Sequence, residues 1–103
     1  MKIAVTSCGP GLNDGVDTRL GRCPYIVFIN TETMEFDTIP NPYMTVGSGA
    51  GIQVAQLIAE KGVAAVLTGN CGPNAFHIFS ASGIYVARYT DGTVIENRRF
   101  AVP

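Results

Sequence analysis

The chain has 103 residues, enough for one domain that buries a real core without disulfide or metal staples. Hydrophobic residues make up 47% and charged residues 15%, which excludes a disordered or coiled-coil chain and points to a globular α/β protein. A formal net charge of −1 supplies no basic field for nucleic acid and no polybasic patch for a membrane, and no apolar run approaches the roughly 18 residues of a membrane span.

Lys2 to Thr6 reads as a strand buried on both faces, because its apolar residues do not alternate with polar ones. No export signal precedes it, so a cytoplasmic location is expected. A long excursion rich in turn formers follows, from Ser7 to Pro24. Tyr25 to Ile29 is a second strand. Asn30-Thr31-Glu32-Thr33 is a polar turn, and Met34 to Ile39 alternates as a half-exposed third strand, completing a hairpin.

Pro40-Asn41-Pro42 stops that strand, and Gly47-Ser48-Gly49-Ala50-Gly51 leads into a helix from about Ala50 to Lys61. Gln53, Gln56 and Glu60 form its narrow wet stripe. Gly62 ends it, and Val63 to Thr68 is a fourth strand. Gly69-Asn70-Cys71-Gly72 then turns into a second helix opening at Pro73, with Ala75, Phe76, Ile78 and Phe79 expected on its buried side. Gly83 ends that helix. Ile84 to Arg88 is a fifth strand, and Asp91 to Phe100 is a polar tail with room for a short helix.

The order β-β-β-α-β-α-β constrains geometry more than any motif does. The first three strands form an antiparallel meander, and the last three, joined through helices, run parallel to one another. Strands one and four are then natural neighbours. Cys8 follows strand one, Cys23 precedes strand two, the glycine-rich loop follows strand three and Cys71 follows strand four, so all land on one edge of the sheet. That edge is where open α/β sheets place their ligands.

Three cysteines in a chain with no export signal argue against a disulfide scaffold. They contain no C-x-x-C spacing, so each is either a core residue or a ligand brought in by the fold. Cys71, at a helix N-terminus, is expected to have a lowered thiol pKa. Arg19 and Arg22 are either surface charges or anion contacts, and His77 is either solvated or the fourth member of a Cys₃His set with Cys8, Cys23 and Cys71. Thiolates bind soft metals, while arginines and helix N-termini stabilise negative charge, so the implied ligand is an anionic, sulfur-rich metal species. Neither strand one nor strand four carries an acid to hold Mg²⁺, which argues against a nuclease. A thiol-dependent enzyme or redox protein with Cys71 as the reactive cysteine is the alternative. A purely structural or partner-binding module, self-associating through an edge strand, is also open.

Gly21-Arg22-Cys23-Pro24-Tyr25, the helix start Gly49-Ala50-Gly51-Ile52, and Thr68-Gly69-Asn70-Cys71-Gly72-Pro73-Asn74-Ala75-Phe76 resemble the dinitrogenase iron–molybdenum cofactor biosynthesis and binding family. The resemblance covers nearly the whole chain. It implies a ribonuclease H-like fold with a mixed five-stranded sheet, and a non-enzymatic role in binding or carrying a metal–sulfur cluster. Many members that resemble nitrogenase accessory proteins carry His-Phe-Gly where this chain has Arg19-Leu20-Gly21. The implied cargo is therefore open between iron–sulfur, molybdenum–iron–sulfur and molybdenum–copper sulfide clusters. Arg19, Arg22, Gly49, Gly51, Asn70, Gly72 and Asn74 are expected to surround it, with Cys8, Cys23, Cys71 and His77 as metal ligands. Cluster donor and acceptor proteins are the implied partners, and the chain is expected to be a monomer or weak oligomer.

Overall fold

The computed structural model describes residues 1–88 and 92–97. Its elements run β1 (Lys2–Ser7), β2 (Tyr25–Asn30), β3 (Phe36–Pro40), α1 (Ala50–Glu60), β4 (Ala65–Thr68), α2 (Pro73–Ala81), β5 (Tyr85–Arg88) and α3 (Val94–Asn97). The strands form one mixed sheet in the order β3-β2-β1-β4-β5. β2 is antiparallel to β1 and β3, while β4 is parallel to β1 and β5. The expected meander and the β1–β4 neighbourhood are both present.

The residues of β1 divide between two cores, because successive side chains point to opposite faces of a strand. Ala4 joins Ile26, Phe28 and Val66 beneath Val54, Ala55 and Ile58 of α1 and Ala75 and Phe79 of α2. Ile3 and Val5 join Val27, Ile29, Ala65 and Leu67 on the other face, closed by Val16 and by Val94 of α3. Burial on both sides explains why strand one reads as a continuous apolar run. Gln53, Gln56 and Glu60 are exposed, as the wet stripe of α1 requires.

β4 and β5 begin at Ala65 and Tyr85, later than the expected Val63 and Ile84, and two residues sit differently from the sequence reading. Met34 does not begin β3: it takes a left-handed φ of 63° and donates its N–H to Asn30 O at 2.8 Å, so it belongs to the turn. Asn30 widens that turn by accepting the N–H groups of Glu32 and Thr33 at its side-chain oxygen. Phe76 is not on the buried side of α2 but 44% exposed. Ala75 and Phe79, four apart, face the sheet, and Phe76 turns outward beneath the Arg88 guanidinium, 5.8 Å from its ring centroid. The short helix expected in the tail is α3. Of that tail, Asp91 and 98–100 lie outside the described residues.

Candidate functional site

The carboxyl ends of β1, β3, β4 and β5 point the same way, so their following loops share one edge with the start of β2. At the β1–β4 junction the side chains turn from apolar to hydroxyl. The Thr6 hydroxyl donates to Asp17 O at 2.7 Å and contacts the Thr68 hydroxyl at 2.8 Å, all of it buried. These contacts draw the excursion after β1 back onto the sheet. Asp17 N donates to Thr6 O at 2.8 Å and Asn70 N to Thr18 O at 2.6 Å, so the 17–19 segment lies beside the β4–α2 loop as a short parallel bridge.

Asp17 and Arg19 form a bidentate pair on this segment, with Nε to Oδ1 at 3.1 Å and Nη2 to Oδ2 at 3.0 Å. Burial alone would raise the Asp17 carboxyl, but the hydrogen bonds and charge of Arg19 outweigh it and hold the group below its ordinary range. The Arg19 side chain is 59% exposed, so the pair presents a cation to the edge with its carboxylate tucked beneath.

The three cysteines occupy different environments. Cys8 is exposed, and its thiol approaches Asp17 Oδ2 at 3.8 Å. Loss of hydration and the Asp17 carboxylate both push its pKa up. Cys71 is half-buried against the helix-face core; burial pushes its thiol up, and the nearby Arg88 only partly offsets this. This direction is opposite to the lowering expected from the helix N-terminus.

Cys23 is fully buried in the core. Its thiol donates to Leu20 O at 3.3 Å, and desolvation raises its pKa to about 12. His77 is exposed on α2. Among the described residues no three His, Cys, Asp or Glu side chains gather where they could hold a metal ion, so the four members of the expected Cys₃His set are not brought together here. What the edge offers is two accessible sulfurs, Cys8 and Cys71.

Both main helices begin here without a side-chain cap. Gly49 precedes α1 in a left-handed conformation, φ 76°, and Gly72 precedes Pro73 of α2. Glycine is required at Gly49 for its φ, but Gly51 and Gly72 have no such requirement and a Cβ on either would meet nothing within 4 Å. No packing reason for glycine is visible at these two positions; Gly72 leaves room for a ligand to approach backbone amides at the positive end of α2, while at α1 the Gly51 N–H is faced by Gly21. Asn74, in the first turn of α2, is exposed beside them, as is Asn70 in the preceding loop.

Sequence reasoning passed over two contributors. Arg88 ends β5 opposite Thr68 and its Nη2 approaches Cys71 O at 3.5 Å, adding an arginine that the parallel β4–β5 pairing could have placed on this edge. Asn41 is buried, and its Nδ2 donates to Gly21 O at 3.0 Å and Cys23 O at 2.9 Å. Its setting between Pro40 and Pro42, where backbone donors are missing, was the available signal. Shallow hollows of about 280 and 270 Å³ lie at the opposite end of the sheet, around Lys2, Phe28 and Asp37, away from these groups.

The fold and this edge define a small α/β domain that presents thiols, arginines and uncapped helix N-termini together. The chain belongs to the dinitrogenase iron–molybdenum cofactor family, whose sequence profile matches residues 1–99. An uncharacterized protein of Methanocaldococcus jannaschii is 31% identical over 99 residues, covering 93% of this chain and 80% of that protein. The apo form of the orange protein from Desulfovibrio gigas superposes with a TM-score of 0.89 at 39% identity, over 95% of this chain and 83% of that one. A putative NifB protein from Thermotoga does so with a TM-score of 0.77 at 33% identity, over 92% and 81%. Among the described residues no helix is long and apolar enough to cross a membrane.

Proposed function

We propose that this protein binds and carries an anionic metal–sulfur cluster at the edge beyond β1 and β4, without catalysing a reaction on it. The observation that carries the reading is the pair of uncapped helix starts with open glycines, Gly51 and Gly72, on the same sheet edge as Arg19 and the thiols of Cys8 and Cys71. Sulfide-rich clusters are large, soft and negative. They accept hydrogen bonds from backbone N–H groups and arginines over a broad surface, and take metal–sulfur bonds only where a thiolate reaches them. An edge with two accessible sulfurs and, among the described residues, no ion-sized ligand cage suits a preassembled cluster better than a lone ion. Membership of the cofactor family, and the likeness to the orange protein and to a putative NifB protein, support the same reading. Iron–sulfur, molybdenum–iron–sulfur and molybdenum–copper sulfide clusters all fit this chemistry, and cluster donor and acceptor proteins are the partners it implies.

The test is anaerobic titration with two probes, tetrathiomolybdate plus copper(I), and iron plus sulfide. At least one is expected to give sulfur-to-metal absorption bands that are retained through gel filtration. Because burial holds both accessible thiols above the ordinary thiol range before binding, and they must lose protons to ligate metal, binding is expected to strengthen as pH rises from 6 to 8. No retained absorption from either probe would defeat the reading.

A further inference from the structure

Arg22 was expected to face the cargo, yet its guanidinium is engaged elsewhere. Nη1 donates to Met44 O at 2.7 Å and Val46 O at 2.6 Å, and Nη2 approaches Gly47 O at 3.5 Å. The segment that supplies these carbonyls has no helix or strand, and Met44, Thr45, Gly47 and Ser48 on it are exposed. Its own backbone contributes a turn from Val46 N to Tyr43 O at 3.3 Å, and Tyr43 N donates to Asn41 Oδ1 at 2.8 Å.

The stitching runs both ways. Asn41, where this segment leaves β3, grips the carbonyls on either side of Arg22, those of Gly21 and Cys23. Gly21 lies so close to α1 that a Cβ there would stand 2.6 Å from Gly51 N. Arg22 is thereby fixed beside the α1 N-terminus with its planar fork aimed back at the 44–47 carbonyls. A guanidinium can serve several carbonyls at once in fixed directions, which a lysine ammonium does less well.

We propose that residues 42–49 form a flap beside the α1 N-terminus and that Arg22 is its latch, a positioning residue that governs access to the site without ligating the cargo. The site's purpose rests on the carrier reading, but the latch is a property of the empty protein. Chymotrypsin cleaves after residues of the Tyr43 and Met44 type, and cleavage at a native segment follows the population of its open form. The experiment compares cleavage at these two positions in the apo chain with R22A and R22K, with thermal melting recorded alongside. R22A is expected to be cut there roughly tenfold faster or more, with R22K between it and the wild type and all three melting alike. Cleavage of R22A at the wild-type rate, or acceleration spread equally over all sites, overturns the latch. In cargo-loaded protein, faster release from R22A with an unchanged absorption spectrum agrees with a latch, whereas an altered spectrum makes Arg22 a ligand and overturns it. If the wild type takes up neither probe, the carrier reading fails while the proteolysis result still decides the latch.

Discussion

Gly69→Ala is expected to lower the thermal midpoint by roughly 10–25 °C, the effect of about 3 kcal/mol of overpacking in a domain of this size. A Cβ at this position would stand 2.6 Å from both Cα and Cβ of Thr18, and 3.0 Å from its Cγ2. The obstruction includes backbone, so no side-chain rotation relieves it. The segment cannot retreat cheaply, because Thr18 O accepts Asn70 N and Asp17 is tied to Thr6 on both sides. Gly51→Ala serves as the control: its Cβ enters open space on a helix, where alanine is favoured over glycine by up to about 1 kcal/mol. Thermal melting of both variants checks the pair, and a Gly69→Ala midpoint within a degree or two of wild type would contradict the close approach.

Raising the pH from 9 towards 12 is expected to destabilise the fold through Cys23 by about 1.4 kcal/mol per unit. Unfolded, this thiol titrates near 9.0; folded, burial pushes it to about 12. Between those values the folded state holds a proton that the unfolded state releases, so stability falls as pH rises. Below 9 both states are protonated and the group contributes no slope. The Asp17 carboxylate adds to the upward push by its charge, and Asn41 Nδ2, 3.8 Å from Sγ, only partly opposes it. Cys23→Ala removes the titrating group, so denaturant melts across this range should show the steeper loss only in the wild type. Parallel slopes would show that Cys23 does not titrate as a buried thiol.

The sheet was legible because its constraints are local and redundant. A continuous apolar run made β1 doubly buried, alternation made β3 half-exposed, and connection lengths set the direction of β4 and β5. The common edge for Cys8, Cys23 and Cys71 followed from connectivity alone. Which sulfurs open onto that edge did not, because side-chain direction at a strand start depends on neighbours distant in sequence. Asn41, eighteen residues away, and the Leu20 carbonyl together turn Cys23 inward. Arg22 illustrates the same limit: its charge is visible in the sequence, but the three carbonyls that engage it belong to a loop without periodicity. Phe76 shows a related limit, since an aromatic residue on an amphipathic helix reads as core unless a cation on a neighbouring strand, here Arg88 of β5, is known to cover it.

On the proposed carrier function, Cys8 and Cys71, and not Cys23, meet the sulfur-rich metal cargo. Metal and acid-labile sulfide analysis of protein isolated anaerobically tests it most directly, comparing wild type with Cys8→Ser/Cys71→Ser and with Cys23→Ala. Metal and sulfide are expected together in the wild type and in Cys23→Ala, and both are expected to be lost from the double variant while its fold, read by circular dichroism, is kept. Wild-type protein free of metal and sulfide, or a cargo retained by the double variant and lost from folded Cys23→Ala, would contradict it.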